Sequence, residues 1–259
     1  MDEGGGAPPE LSKSALSGGV LQLDSCCPVL EDLMLEGCYL DSAEITSCTL
    51  KNLIVTDCRT YCGNVLDISA PALTNFHLVI TVGFNWDGLL VNEMPCLVNA
   101  SICLESDRRS SSSSVKGPCK LLCSLINVRN LTLSGSKTLS ILCPGSDAFP
   151  TFCNLITLLF DGCDLSDNFQ ILGRFLNNAP SLEKLTLQYC KLPEGSRKRK
   201  RMENPKRISL KCLDTPSFQC PKLKLTEIKY KEDDVHQLFG LLSGVWKNLQ
   251  KTSIMLTKG

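Results

Sequence analysis

A short phrase of leucines and a cysteine recurs along this chain of 259 residues, and it restricts the possible fold more than any other feature. The first copy, LEDLMLEGCYL, matches the pattern LxxLxLxxCxL at every specified position. Four copies carry the cysteine, and three weaker copies keep only the apolar triplet. The copies begin at Leu30, Leu50, Leu73, Leu97, Val128, Leu155 and Leu182.

The distances between these starts are 20, 23, 24, 31, 27 and 27 residues, most of them within or near the range of leucine-rich repeats. One strand and its return segment cannot bury their apolar side alone, so successive coils must stack and share a core. The sequence therefore predicts an α/β fold. We expect an irregular leucine-rich-repeat solenoid with a parallel β-sheet on the concave face and helices, turns or coil on the convex face.

The alternation within each LxL triplet assigns side chains to two faces. Because successive strand residues point to opposite sides, Leu33 and Leu35 are predicted to face the core while their neighbours face outward. The cysteine after each strand is predicted to be buried, with its thiol near loop backbone groups. The outward residues form the predicted partner-binding face: Asp32, Met34, Glu36, Asn52, Ile54, Asn75, His77, Asn99, Ser101, Asn130, Thr132, Lys184 and Thr186.

Breaks in the repeat pattern divide the chain into predicted regions. Residues 1–20 are expected to be a flexible tail, and residues 21–192 the solenoid. A serine-rich insertion at 105–117 accounts for the spacing of 31 residues. Residues 193–219 are predicted to form a basic loop insertion, and residues 220–259 a C-terminal capping repeat.

Two return segments can be interpreted from the sequence. The segment SDNFQILGRFLNN predicts a helix, with Ser166 as its cap and Asp167 in its first turn. Its apolar residues share one helical face: Phe169, Leu172, Phe175 and Leu176. The segment between 40 and 50 is too short for such a helix, so we expect turns or coil there.

The C-terminal region predicts strand, helix and strand. Leu225, Ile228 and Tyr230 indicate one strand, and Leu249, Thr252 and Ile254 another. Between them, apolar residues recur every three or four positions behind an acidic start, which is typical of a helix. This region is predicted to close the core at the end of the solenoid.

A basic run stands out in a chain whose formal net charge is zero. We interpret it as a possible nuclear import signal, with a solvated loop as the open alternative. No aromatic residues interleave the run, so nucleic acid is not an expected partner. The run contains Arg197, Lys198, Arg199, Lys200, Arg201, Lys206 and Arg207.

The sequence contains no export signal and no run of eighteen apolar residues, so we expect no membrane association and a location in the nucleus or cytoplasm. The 16 cysteines are accordingly expected to be reduced.

Catalytic and metal-binding patterns are absent from the sequence. The two histidines, His77 and His236, lie in no recognisable catalytic motif, and neither a GxSxG nor a Walker A or GxGxxG sequence occurs. Cysteine pairs occur at CxxxC but never at CxxC spacing. We therefore predict a non-enzymatic protein with no catalytic residues, no metal site and no cofactor.

The phrases CPVLEDLMLEGC, CTLKNLIVTDC, APSLEKLTLQYCKL and CPKLKLTEIKYKEDD resemble the repeats of plant F-box/LRR proteins, including an FBD-like tail. The resemblance extends from about Cys27 to the end of the chain. Family members carry an F-box that docks on the Skp1 adaptor of a cullin ubiquitin ligase. No such module is recognisable here, since residues 1–26 are too few for it.

The resemblance implies the substrate-recognition part of an SCF-type ubiquitin ligase receptor, which binds a protein partner or ubiquitination substrate. A Skp1-type adaptor is implied as a partner only if a longer form carries the F-box. The alternative is a truncated or decoy chain of the family, which binds a partner but recruits no ligase.

Overall fold

The computed structural model of the protein describes residues 10–12, 15–17, 20–22, 27–41, 44–60, 65–82, 88–92, 94–106, 121–143, 149–167, 169–193, 220–231 and 252–259. The strands are β1 (Glu10–Ser12), β2 (Ala15–Ser17), β3 (Val20–Gln22), β4 (Asp32–Glu36), β5 (Tyr39–Asp41), β6 (Glu44–Thr46), β7 (Asn52–Thr60), β8 (Val65–Ser69), β9 (Asn75–Val82), β10 (Gly88–Val91), β11 (Asn99–Ser106), β12 (Asn130–Ser134), β13 (Thr157–Asp161), β14 (Lys184–Gln188), β15 (Leu225–Tyr230) and β16 (Ser253–Lys258). The helices are α1 (Leu121–Ser124), α2 (Thr138–Leu142) and α3 (Gln170–Asn177).

The strands form two parallel sheets. The larger has 12 strands, and its main path runs in the order β1-β4-β7-β9-β11-β12-β13-β14-β15-β16, with β2 and β5 beside it. The smaller has four strands in the order β10-β8-β6-β3. Each coil of the chain contributes one strand to the main path, so the solenoid predicted from the repeats is confirmed.

The core lies directly behind the larger sheet. Leu33, Leu53, Phe76 and Ala100 occupy equivalent positions in β4, β7, β9 and β11, and all four are buried. Leu35 and the residues aligned with it form a second buried column. The inward assignment made from the LxL triplets is therefore confirmed.

A tight turn follows the strand in several coils. Gly37 and Gly162 stand seven residues after their repeat starts, at φ of 64° and 62°. Asp57 and Tyr189 occupy the same offset and also have positive φ, at 52° and 50°. Glycine adopts this left-handed conformation without the steric cost that a side chain brings, which explains the GC dipeptide in two of the copies.

The cysteine after this turn is a core residue with a backbone partner, as predicted. The Cys58 thiol donates to the carbonyl of Leu35 in the preceding coil at 3.5 Å. Cys163 donates to Leu133 in the same way at 3.1 Å. These side chains therefore link successive coils behind the end of each strand.

The return segments of the N-terminal coils are strands, which corrects the expectation of turns or coil between 40 and 50. Residues Glu44–Thr46 form β6, which pairs with β3 and β8 in the smaller sheet. Ile45 aligns with Ile68, and both side chains are buried. One inward apolar residue per short strand suffices once neighbouring coils supply the hydrogen bonds, and three residues are too few to show an alternation in the sequence.

The return segments of the later coils include helices. In α3 the predicted apolar face is confirmed, since Phe169, Leu172, Phe175 and Leu176 are buried. The predicted cap was wrong: the backbone N–H of Ser166 donates to Asp164, and the carboxylate of Asp167 accepts from Ile171 N–H at 2.9 Å.

An aromatic cluster fills the space between α3 and the larger sheet. The Phe175 ring lies 4.8 Å from Phe149, 5.4 Å from Phe160 and 5.6 Å from Phe152, measured between ring centroids. The Arg174 guanidinium lies over the ring of Phe149 at 4.7 Å. The cluster therefore packs the wide C-terminal coils with large side chains.

The predicted flexible tail over residues 1–20 was wrong in part. Residues 10–12, 15–17 and 20–22 form β1, β2 and β3. Leu11, Leu16 and Leu21 align with Leu35, Leu40 and Ile45, so this segment is a further coil. It contains no LxxLxL triplet, which is why the repeat pattern did not detect it.

The serine-rich insertion begins later than predicted. Glu105 and Ser106 still belong to β11 and align with Thr81 and Val82 of β9, because the strand hydrogen bonds continue beyond the last inward leucine. In the last coil, β15 and β16 confirm the two predicted strands, although β16 begins at Ser253 rather than Leu249. The predicted helix between them lies outside the described residues.

Candidate functional site

The predicted partner-binding residues share the outward face of the larger sheet, where parallel register places them in columns across the coils. The first column contains Asp32, Asn52, Asn75, Asn99, Asn130 and Lys184. The second contains Met34, Ile54, His77, Ser101, Thr132 and Thr186. Glu36 lies exposed at the end of β4.

The first column is joined by side-chain hydrogen bonds. Asn52 Nδ2 donates to Asp32 Oδ1 at 2.5 Å, and Asn75 Nδ2 donates to Asn52 Oδ1 at 2.6 Å. Asn99 Nδ2 donates to Asn75 Oδ1 at 2.6 Å, and Asn130 Nδ2 donates to Asn99 Oδ1 at 2.8 Å. We call these five residues the asparagine ladder. All four donations run toward the carboxylate of Asp32.

A shallow groove lies along the ladder and the second column. Its walls include the ladder residues together with Ile54, His77, Ser101 and Thr132. Among the described residues that line it, none is lysine or arginine. We call this surface the ladder groove, and it unites nine of the residues predicted from the sequence.

Charged pairs replace the ladder in the C-terminal coils. Lys184 Nζ lies 2.9 Å from Glu227 Oε2, and this hydrogen bond, together with the positive charge, holds the pKa of the glutamate below its ordinary value. The Thr186 hydroxyl also lies 3.3 Å from Glu227. Thr186 is only 4% exposed, so its predicted contact with a partner is corrected: neighbouring side chains cover it.

Sequence reasoning missed outward residues in two coils. Thr157, Leu159 and Asp161 continue the columns on β13, where they align with residues of β12 and β14. The copy that begins at Leu155 carries them at the same offsets as the residues chosen elsewhere. Glu227 belongs to a coil after the basic insertion, where the repeat spacing gives no guide.

The structure brings His77 and Ser101 together on adjacent strands. Among the described residues, neither side chain makes a hydrogen bond to the other, so the pair lacks the contact that a nucleophile and its base require. His236 and the basic run lie outside the described residues.

Burial makes the core thiols poor nucleophiles. Removal from water raises the pKa of Cys58 from 9.0 to about 11 and that of Cys190 from 9.0 to about 12. Within the described ranges, no three His, Cys, Asp or Glu side chains group as a metal ion would require. None of the described helices has the length and apolar character needed to cross a membrane.

The stacked parallel coils, the LxxLxL core and the polar concave face define a leucine-rich-repeat solenoid. Comparison with curated proteins then identifies relatives of the chain. The chain is 34% identical over 217 residues to the MEIOTIC F-BOX protein MOF of Oryza sativa subsp. japonica, a match that covers 78% of this chain and 46% of the relative.

Two proteins of Arabidopsis thaliana are also similar. An F-box/LRR-repeat protein is 31% identical over 66% of this chain and 37% of its own length. A putative F-box/FBD/LRR-repeat protein is 31% identical over 65% of this chain and 36% of its own length. No family model matches the chain. No solved structure matches it either.

The chain belongs to the plant F-box/LRR-repeat family, as its repeat phrases predicted. It spans less than half the length of these curated relatives.

Proposed function

We propose that this chain is a non-catalytic, protein-binding scaffold that recognises a partner on its concave face and serves as the substrate-recognition part of an SCF-type ubiquitin ligase receptor. The observation that carries the proposal is the continuous outward face of the larger sheet. Its first column repeats asparagine in four coils and its second column changes from coil to coil, while the buried columns behind them are apolar from β4 to β14.

Two features support binding rather than catalysis. The groove is open and combines amide and hydroxyl side chains with apolar surface, and its residues are held by a sheet, as suits recognition of a protein surface. Its only described histidine makes no hydrogen bond to a described nucleophile. The relatives' names support the ligase connection, because each name includes the term F-box.

The proposed partners are a substrate protein on the concave face and, where a longer form supplies the F-box, a Skp1-type adaptor. The proposed location is the nucleus or the cytoplasm, with the run from Arg197 to Arg207 as a candidate import signal.

Proximity labelling in plant cells tests partner binding. The tagged chain should label a reproducible set of proteins, and Ser101→Arg, which places a long cation in the ladder groove, should remove most of that set. Ser140→Arg makes the same change at an exposed position of α2, outside the groove, and should leave the set intact. Equal labelling by all three chains would refute partner binding on the concave face.

Co-purification tests the ligase connection separately. If the full-length product of the gene retains Skp1 and lowers the level of the labelled proteins in a proteasome-dependent way, the receptor role is supported. If it binds those proteins without Skp1, the chain acts as a decoy.

A further inference from the structure

Two carboxylates on β4, the strand at which the asparagine ladder ends, have no cationic partner among the described residues. Asp32 and Glu36 are both exposed on the outward face of β4, and within the described residues neither forms a salt bridge. The acidic residues that immediately precede β4 and β14 do have cationic partners. Glu31 pairs with Lys51 at 2.6 Å, and Glu183 pairs with Lys224 at 2.9 Å.

The ladder groove beside these carboxylates contributes no compensating charge, since the described residues that line it include no lysine or arginine. A cleft lined by charge of one sign attracts ligands of the opposite sign. The groove therefore favours a cationic occupant and disfavours nucleic acid, whose phosphates the carboxylates would repel.

The ladder also has unused hydrogen-bonding capacity. An asparagine amide nitrogen carries two hydrogens, and the ladder uses one from each residue. Asn75 donates its second hydrogen to Thr74 Oγ1 at 3.1 Å. The second hydrogens of Asn99 and Asn130, whose side chains are exposed, remain available to a ligand. Neighbouring strands lie about 4.8 Å apart, so five ladder residues span about 19 Å. About six residues of extended peptide cover that distance.

We propose that the ladder groove binds an extended, cationic segment of the partner protein. Its lysine or arginine side chains pair with Asp32 and Glu36, and its backbone carbonyls accept hydrogen bonds from the asparagine amides. The segment crosses the coils along the ladder. This inference rests on the proposed function and specifies the chemistry of the partner.

Selection of displayed random peptides of about ten residues on the full chain tests the proposal. Enriched peptides should carry lysine or arginine clustered at one end. Synthetic copies of the three most enriched peptides then serve as probes in fluorescence anisotropy. Asp32→Asn combined with Glu36→Gln should weaken their binding about tenfold, which corresponds to two exposed charge pairs.

The matched control also removes two negative charges, but at residues that immediately precede β4 and β14. Glu31→Gln combined with Glu183→Gln should change binding less than about twofold, because long-range attraction between exposed charges is screened. Asn99→Ala should weaken binding about fivefold through the lost amide donor, with its melting temperature measured to verify folding. Thr157→Ala, one strand beyond the ladder, should have no effect on binding.

Three outcomes overturn the inference: no peptide is enriched, the enriched peptides are neutral or acidic, or both double variants weaken binding equally. The proposed function fails by a different result, since it requires that Ser101→Arg remove the proteins labelled in cells. Partners lost with Ser101→Arg but retained with Asp32→Asn and Glu36→Gln would keep the scaffold role and reject the cationic segment.

Discussion

The two halves of the solenoid build the same concave sheet on different supports. Between repeat starts 30 and 97 the coils advance by 20 to 24 residues and return through a second parallel sheet. From residue 97 onward they advance by 27 residues or more, and helices form part of the return. Side-chain amides connect the outward face from β4 to β12, whereas an ion pair joins β14 to β15.

The difference shows that coil length selects the return structure. A strand rises about 3.3 Å per residue and a helix about 1.5 Å, so a short return must be extended to cross the coil. A longer return segment has enough residues to form a helix. The wider coil then needs larger side chains to fill it, and the Phe175 cluster supplies them.

The largest expected effect lies in the helical half. Phe175→Ala should lower the free energy of unfolding by about 3 to 5 kcal/mol, because it removes the ring at the centre of the aromatic cluster. Denaturant titration measures the loss. Gln170→Ala, at an exposed position of the same helix, should cost less than about 0.5 kcal/mol. Equal losses would mean that the cluster does not stabilise this half.

The half that returns through the second sheet should lose as much stability per truncated buried aliphatic side chain as the helical half. Ile45→Ala, fully buried in β6, and Leu172→Ala, fully buried in α3, should each cost about 2 to 5 kcal/mol. Thermal and denaturant unfolding of both variants provide the comparison. A loss below about 1 kcal/mol for Ile45→Ala alone would show that the second sheet is loosely packed.

A feature common to both halves should make stability depend on alkaline pH. Cys58 in one half and Cys190 in the other have folded-state pKa values of about 11 and about 12, against 9.0 when unfolded. Their contribution is complete below pH 9, and it is lost as the pH rises through the folded values, because the unfolded chain releases these protons first.

The test is the melting temperature as a function of pH. Cys58→Ala combined with Cys190→Ala should melt with a shallower decline above pH 9 than the unchanged protein. Parallel curves that differ only by a constant offset would contradict the burial of these thiols.

The smallest effects separate amides from ion pairs on the concave face. Asn75→Ala should cost about 1 kcal/mol through lost ladder hydrogen bonds. Lys184→Ala should cost about 0.5 kcal/mol, because its pair with Glu227 is partly exposed. In about 1 M salt the cost of Lys184→Ala should vanish while that of Asn75→Ala persists, since salt screens charges. Unfolding at low and high salt checks this contrast.

Much of this architecture could be predicted from the sequence, because the repeats state the burial pattern directly. Leu33, Leu158 and Leu185 lie where the LxL alternation places them, and so do the outward residues from Asp32 to Thr132. The first coil was missed because the strands that contain Leu11, Leu16 and Leu21 are only three residues long and form no LxxLxL triplet, so they pair only with strands of the next coil.

The asparagine ladder was present in the sequence as four asparagines at one offset, but its mutual bonding was not. Which amide donates to which carbonyl depends on register between coils, and the offset alone does not fix it. Thr186 was misjudged for a related reason. Its coverage depends on Glu227, which follows 41 residues later in sequence and lies on the adjacent strand in space.

The alignment of neighbouring strands does not depend on the length of the segment that connects them. Asn99 and Asn130 remain side by side although 31 residues divide them, and Lys184 aligns with Leu225 across 41. Extra residues can therefore accumulate between coils without shifting any side chain on the concave face. Such a fold can accept inserted segments of different lengths while the geometry of its concave face stays the same.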